Sequence, residues 1–276
     1  MLEQPGAWGI DALCDSRLPA PVARALHERA HALKIRVILI RRPDRRPNGV
    51  NVFLAHTGGT RTSPVLFHGV IDDPASLLDL DLAPLHAGEP VGLGEPFDGP
   101  LFLVCTNGRH DVCCAERGRP LFRALAGEFP DRTWECSHIG GDRFAGNVVC
   151  FPHGVYFGWV EPDEAPAIAR AYERGRLDLT RYRGRSSWPV DVQTAEQALR
   201  AHLGLAGVED LLPARPSRHP DGSVQVTFRD GDGAVHTARV GPGSADPVFL
   251  TCRAEERVAP RTFEVLSLDA GPRSDR

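Results

Sequence analysis

The sequence predicts an α/β protein that ends in a small antiparallel β extension. Residues 101–175 carry the order strand, helix, short strand, two hairpin strands and helix, which is typical of a mixed α/β unit. Residues 186–276 change to one helix and short alternating segments, a pattern typical of a small antiparallel sheet. With 276 residues, 42% of them hydrophobic and 25% charged, the chain is long enough for more than one unit.

The first unit is predicted over 1–95 and opens with a helix over 18–34. Its apolar side chains recur at three- and four-residue spacing, and Pro19 and Pro21 stand at its start, where helices tolerate proline. The Gly- and Pro-rich run 87–100 marks the boundary to the next unit. Strands are predicted at 35–40, where five of the six residues are apolar and burial on both faces is expected, at 50–55 and at 65–70.

The second unit is predicted over 96–185 and begins with a buried strand that ends at Cys105. A polar loop leads from this strand into a helix over 115–129. The order of elements resembles a thioredoxin-like unit, and the first unit is then a degenerate copy of it. The remaining elements are a short strand at 133–136, hairpin strands at 147–151 and 155–160 around the turn Pro152-His153-Gly154, and a helix at 162–174.

The third unit is predicted over 186–276 as a helix followed by a small antiparallel sheet. The helix is the amphipathic stretch 192–203. The sequence Asp230-Gly231-Asp232-Gly233 lies between two alternating segments and predicts a hairpin turn. The alternating segments are 223–230, 234–240, 247–252 and 262–268.

Composition excludes several classes of protein and suggests a source. No apolar run approaches the ~18–20 residues that a membrane-spanning helix needs, and the N-terminus lacks the pattern of a secretory signal, so we expect a cytoplasmic protein. A net charge of −4 argues against a protein that coats nucleic acid. Lys34 is the single lysine among 32 basic residues, a bias that suggests a GC-rich bacterial genome.

Cysteine is the most informative residue type in this chain. There are seven cysteines, an odd number, and five of them lie between 105 and 150. Because the cytosol disfavours stable disulfides, clustered cysteines indicate metal ligands or redox thiols. Cys14, Cys150 and Cys252 lie outside the informative motifs and are expected to be structural.

The first chemical motif joins the end of a strand to the start of a helix. Cys105 ends the buried strand, and Cys114 follows after eight residues, beside Cys113. The free N–H groups at a helix start favour the thiolate form of a cysteine. Arg109 and His110 add positive charge to the loop between the two cysteines, although His110, like His153, is expected to be solvated.

The second chemical motif is the compact loop that starts at Cys136. His138 and Asp142 follow in the same loop, and Gly140 and Gly141 let its backbone reverse direction. All three side chains are candidate metal ligands. Structural zinc sites are dominated by thiolates and imidazoles, whereas mixed Cys and His ligation also suits a 2Fe–2S cluster.

The motifs CTNGRHDVCC, WECSHIGGDRFAGNVVCFPHG and YFGWV resemble the sucrase/ferredoxin-like family, a branch of the thioredoxin-like 2Fe–2S ferredoxins. The resemblance implies a 2Fe–2S cluster held by Cys105, Cys114 and His138. Asp142 stands where the family pattern has a second histidine. The fourth ligand therefore stays open between Cys136, Asp142 and Cys113.

The resemblance implies an electron carrier rather than a stand-alone enzyme, and the composition indicates a bacterial, cytosolic protein. Its partner is an unidentified redox protein, with no nucleic acid and no membrane involved. Arg109 and Arg143 are expected to bind near the cofactor, where they offset the charge of the cluster or dock an acidic partner.

Two alternatives remain at this point. One is a metal-free thiol–disulfide oxidoreductase that uses Cys113 with Cys114, or Cys105 with Cys136. The other is an interaction module stapled by zinc. The cofactor is then zinc or none.

Overall fold

Two sheets carry the α/β architecture in the computed structural model, which describes residues 1–43, 49–59 and 62–271. This architecture confirms the predicted fold class. The larger sheet has ten strands in the described residues. They are β1 (Leu2–Glu3), β2 (Leu39–Arg41), β3 (Val50–His56), β4 (Val65–Ile71), β5 (Glu95–Pro96), β6 (Leu101–Cys105), β7 (Thr133–Cys136), β8 (Val148–Phe151), β9 (Val155–Phe157) and β10 (Tyr182–Arg185).

The ten-stranded sheet is mixed, with the order β10-β9-β8-β6-β7-β2-β1-β3-β4-β5. The pairs β6–β7 and β1–β2 are parallel, and the other pairs are antiparallel. The central parallel pair places the carboxyl ends of β6 and β7 next to each other, in register at Cys105 and Cys136. The two predicted cysteine motifs therefore leave the sheet at the same edge.

Strand β6 is buried on both faces, as its apolar sequence predicts. Phe102 and Val104 face the core that includes Leu121 of the following helix. Leu103 and Cys105 alternate with them and face a second core, which also contains Cys114 and Trp134. The alternation of side chains along the strand thus turns the terminal cysteine inward.

Four α-helices lie in the described residues: α1 (Ala20–Ala32), α2 (Val112–Glu128), α3 (Ala165–Glu173) and α4 (Val190–Leu203). Helix α2 begins at Val112, three residues before its predicted start at 115. The N–H of Asp111 donates to Asn107 (3.2 Å) and the N–H of Cys114 donates to Asp111 (3.1 Å), so the loop winds directly into the helix. Cys113 and Cys114 therefore lie in its first turn. None of these helices is long and apolar enough to cross a membrane.

The predicted strand at 35–40 is shorter and later than expected. The N–H of Ile35 still donates to Ala30 at 2.8 Å, so the first residue of the apolar run completes the end of α1. Strand β2 covers only Leu39–Arg41, because its neighbour β1 is two residues long and pairs with it at Leu39 and Ile40. Only residues 38–40 of the run are buried, whereas Ile35 and Val37 are partly buried and Arg36 is exposed, so the predicted burial holds for the second half of the run.

The second sheet is antiparallel and contains β11 (Leu212–Pro213), β12 (Ser217–Arg218), β13 (Val224–Arg229), β14 (Val235–Gly243) and β15 (Thr262–Ala270). The predicted hairpin turn is confirmed, with Gly233 at φ +83° and its N–H donating to Asp230 at 3.0 Å. The predicted strand at 247–252 is wrong, since Val248 makes only an isolated bridge to Val258. Domain boundaries at 95 and 185 stay predictions.

Candidate metal centre

Three ligand atoms from three segments meet at the carboxyl ends of β6 and β7. The sulfurs of Cys105 and Cys114 and a ring nitrogen of His138 all lie within 4.8 Å of one another. Both cysteines are 1% exposed, and His138 is half-buried. Two sulfurs bound to one tetrahedral ion at ~2.3 Å lie about 3.8 Å apart, so the observed spacing is compatible with a single shared ion.

Gly118 allows α2 to approach the end of β6 closely enough for Cys114 to reach Cys105. A Cβ atom at this position would overlap the backbone carbonyl oxygen of Cys105. The glycine lies one turn after Cys114, on the same helix face. Its missing side chain thus fixes the distance between the two cysteine motifs.

Asp142 lies against both cysteine and histidine ligands. Its Oδ1 is 3.0 Å from Nδ1 of His138 and 3.7 Å from Sγ of Cys114. Gly140 and Gly141 precede it with φ values of +93° and +73°, a conformation that reverses the loop. Nδ1 of His138 is buried beside this carboxylate. A carboxylate next to one ring nitrogen of a histidine orients the ring and leaves the other nitrogen for a metal ion.

His110 belongs to the site, contrary to the expectation that it is a solvated loop residue. Its ring stacks on that of His138, with centroids 3.6 Å apart and an interplanar angle of 13°. Its Nε2 lies 4.0 Å from Oδ2 of Asp142. No local sequence pattern predicts this contact, because it arises only when the pairing of β6 with β7 brings the two loops together.

The charges of the site favour a thiolate at Cys105. The hydrogen bond from Cys114 lowers the pKa of Cys105 to about 5, with a contribution from His138, although burial acts in the opposite direction. The same contact, together with burial, raises the pKa of Cys114. Burial lowers the pKa of His138, but Asp142 and Cys105 outweigh it and raise the value to about 9. Thiolates are the form in which cysteine binds metal ions.

The other two candidate cysteines lie beside the site but face different neighbours. Cys136 is fully buried next to Cys105, and its burial raises its pKa well above the ordinary value. Its sulfur lies outside the set of ligand atoms that are within 4.8 Å of one another. Cys113 instead forms a second group with Asp111 and Cys252, also within 4.8 Å. Their role as fourth ligand stays a prediction.

Cys252 was expected to be structural, and sequence analysis missed its position. Its backbone N–H donates to Oδ2 of Asp111 at 2.7 Å, across 141 residues of chain. This bond attaches the loop between β14 and β15 to the start of α2. No sequence motif near Cys252 predicts this contact, and it is seen only in the structure.

The two predicted cofactor-binding arginines line separate clefts. Arg109 is exposed and lines one cleft with Trp8 and Arg119. Arg143 is exposed, lies over the ring of Phe144 at 4.5 Å and lines a larger cleft. Whether either binds a cofactor stays a prediction.

Several fungal proteins are similar to part of this chain. Each is called altered inheritance of mitochondria protein 32. The protein from Eremothecium gossypii is 30% identical over 113 residues, 36% of this chain and 36% of the relative. The protein from Meyerozyma guilliermondii is 33% identical over 95 residues, 30% of this chain and 34% of the relative. The protein from Saccharomyces cerevisiae is 31% identical over 105 residues, 33% of this chain and 34% of the relative. The chain thus matches about a third of the length of these relatives.

These relatives correct two predictions from the sequence. Their name does not describe electron transfer, so the predicted 2Fe–2S electron-transfer function was wrong. The expected bacterial source was also wrong, because the relatives are fungal.

The match to a family is broader than the match to any of these relatives. The model of the family described as Sucrase/ferredoxin-like matches residues 24–184 and therefore more than half of the chain. That range contains Cys105, Cys114, His138 and Asp142, the residues that meet in the structure. The chain belongs to the sucrase/ferredoxin-like family.

Proposed function

We propose that this chain binds one metal ion through Cys105, Cys114 and His138. The observation that carries the proposal is the placement of two sulfurs and one imidazole nitrogen within 4.8 Å of one another. The three residues come from the end of β6, the first turn of α2 and the loop after β7. Zinc is the ion best suited to this set, because it favours thiolate and imidazole ligands in tetrahedral geometry.

The surroundings of the three ligands fit a bound ion better than an ordinary core. Cys150, on the neighbouring strand β8, is equally buried, but it packs among apolar residues such as Phe102 and Val155. Cys105 instead has a second sulfur, an imidazole and the carboxylate of Asp142 around it. Buried polar groups without partners are costly, and a cation shared by the thiolates and the imidazole would remove that cost.

Asp142 has a positioning role in this proposal. Its contact with Nδ1 of His138 matches the arrangement in which a carboxylate orients a ligating histidine. Bound zinc supplies either structural stabilisation or, where a coordination position stays open, a Lewis acid. The fourth ligand stays a prediction among Cys136, Asp142 and Cys113.

Metal analysis of the purified chain tests the proposal. We expect about one zinc per chain, or stoichiometric uptake of Zn²⁺ or Co²⁺ by chelated protein, with thiolate-to-cobalt charge-transfer absorption for Co²⁺. The variants Cys105→Ala, Cys114→Ala and His138→Ala should lose stoichiometric binding. Cys150→Ala is the matched control, since it removes a buried cysteine from the adjacent strand and should keep the metal. Unchanged binding in the first three variants would overturn the proposal.

The same preparation, made without oxygen, decides the nature of the cofactor. The 2Fe–2S cluster implied by the family resemblance stays a prediction. Iron and acid-labile sulfide in equal amounts, with zinc missing, would contradict a single-ion site. Zinc without sulfide would support it.

The compartment and the partners form a separate part of the proposal. The sequence predicts a cytoplasmic protein, whereas the relatives carry a name that refers to mitochondria. We propose the mitochondrial location, which fractionation of the source cells with markers for both compartments checks. The predicted redox partner, and the predicted lack of nucleic-acid and membrane partners, stay predictions.

A further inference from the structure

A large cleft lies beside the proposed metal centre and is lined by residues that are far apart in the sequence. Its volume is about 830 Å³, within the range of pockets that hold small ligands. Gly140 and Gly141 of the metal-site loop form part of its wall. The segment after α1, strands β3 and β10, the first turn of α4 and the start of β15 also contribute to the wall.

The cleft is strongly cationic, although the whole chain has a net charge of −4. Among the described residues, its wall contains no aspartate or glutamate, and none of its six cationic side chains lies within the 4.0 Å ion-pair distance of a carboxylate. Elsewhere arginines do pair, as Arg170 does with Glu128 at 2.5 Å. The six side chains are Lys34, Arg36, Arg143, Arg183, Arg185 and Arg261.

Several polar atoms of the wall are buried without partners. The Nε atoms of Arg183 and Arg185 and the Oγ1 atom of Thr262 make no hydrogen bond in the described structure. Arg185 is only 4% exposed, and its other end donates to the carbonyl of Val208. A buried guanidinium without a carboxylate partner is costly, and an anion in the cleft would stabilise it.

The arginines of the cleft are held in place before any ligand arrives. The guanidinium of Arg183 stacks 3.6 Å from the ring centroid of Phe144 and 5.0 Å from that of Trp159. Such stacking fixes the planar group and reduces the entropy lost on binding. Burial and the neighbouring charge of Arg143 lower the pKa of Arg183, as expected for crowded like charges.

Two further features of the wall define the ligand class. Phe144, Tyr156 and Phe263 give it aromatic surface beside the cations. The first turn of α4 contributes Val190, which adds apolar surface to the wall.

We propose that this cleft binds a small organic phosphate, with the phosphate groups on the cationic wall and the organic part on the aromatic side chains. Arginine is the residue that best matches phosphate, through paired N–H donors. The site is distinct from the metal centre, because none of the three proposed metal ligands lines the cleft.

Calorimetric titration of the full chain tests the proposal, with ATP, inorganic pyrophosphate, citrate and adenosine as probes. ATP and pyrophosphate should bind at low ionic strength and weaken as salt is added, and adenosine should bind at least tenfold more weakly than ATP. Arg143→Gln combined with Arg261→Gln should weaken ATP at least tenfold. Both side chains are exposed, so the variant is expected to fold, which circular dichroism checks.

Arg123→Gln is the matched control, because Arg123 is also an exposed arginine but lines the smaller cleft with Arg109. It should bind ATP like the unaltered chain. The proposal fails if neither phosphate binds at millimolar concentration, if adenosine binds as well as ATP, or if the double variant binds like the control. Citrate binding tighter than ATP would assign a polycarboxylate instead and overturn the phosphate assignment. A Cys105→Ala chain that keeps ATP binding but loses metal would separate this site from the metal proposal.

Discussion

Asp142 has a positioning role in the proposed metal site rather than the role of a principal ligand. It stands where the family pattern has a second histidine, and its carboxylate lies 3.0 Å from Nδ1 of His138. Carboxylate partners of ligating histidines typically contribute 10–100-fold to metal affinity. The substitution at this position thus exchanges a strong nitrogen donor for a group that orients one.

We expect Asp142→Asn to weaken zinc affinity by roughly 10–100-fold while keeping stoichiometric binding at high zinc. The amide of asparagine keeps the size of the side chain but lacks the negative charge that orients His138. Competition with a chromophoric chelator measures the change. Complete loss of binding would instead make Asp142 an essential ligand, and an unchanged affinity would remove it from the site.

His153 supplies a pH-dependent contribution to stability away from the metal centre. It lies in the turn between β8 and β9, and its Nδ1 is 2.7 Å from the hydroxyl of Tyr172. Burial, with a further contribution from Arg185, lowers its pKa to about 4. The unfolded chain therefore binds a proton at this residue below pH ~6.5, whereas the folded chain does not until about pH 4.

Because the folded chain binds this proton less readily than the unfolded chain, the contribution of His153 to the free energy of unfolding is complete above about pH 6.5. That contribution is lost as the pH falls towards 4. Between pH 7 and pH 5 we expect a loss of about 2 kcal/mol from this residue alone. His153→Asn keeps a hydrogen-bonding side chain beside Tyr172 but does not titrate in this range. Urea unfolding of both chains at the two pH values should show the smaller loss for the variant. Equal losses would mean that His153 is protonated in the folded chain.

At the scale of the element, the approach of α2 to β6 brings the two cysteine motifs together. Gly118 permits that approach, because any side chain there would overlap the carbonyl oxygen of Cys105. Gly127 lies in the same helix, and a Cβ atom there would meet nothing within 4 Å. Substitutions at these two glycines therefore distinguish the effect of packing against β6 from the effect of helix propensity.

We expect Gly118→Ala to destabilise the fold by about 1–3 kcal/mol, because overpacking forces the helix away from the strand. It should also weaken metal binding, since the first turn of α2 carries Cys114. Gly127→Ala is the control and should be neutral or stabilising by up to about 1 kcal/mol. Denaturant unfolding and zinc titration measure both effects. A Gly118→Ala chain as stable as the control would show that the helix does not depend on this contact.

The elements themselves were predictable where local pattern decides them. Strand β6 is predicted by a short apolar run, and helix α2 is predicted by an apolar stripe. The short spacing of Cys105 and Cys114 in the sequence is enough to indicate that they belong to one motif. Strand β1 was not predicted, because two residues at the N-terminus carry no periodicity. It lies between β2 and β3, where Leu2 pairs with both Leu39 and Val52.

At the scale of the whole molecule, long-range pairing decides what sequence pattern leaves open. The stacking of His110 on His138 follows from the parallel register of β6 and β7. The bond between Cys252 and Asp111 closes 141 residues of chain. The cationic cleft likewise assembles from arginines far apart in sequence, such as Arg36, Arg183 and Arg261. None of these contacts has a local signature, so the sequence predicted the proposed ligands more completely than their surroundings.

The central claim is that sulfur from two segments and nitrogen from a third bind one ion. X-ray absorption at the edge of the bound metal tests it most directly. The account predicts a shell of at least two sulfurs at about 2.3 Å and of nitrogen or oxygen at about 2.0–2.1 Å around a single zinc. A shell of nitrogen and oxygen alone, or an iron spectrum with a second iron nearby, would contradict it.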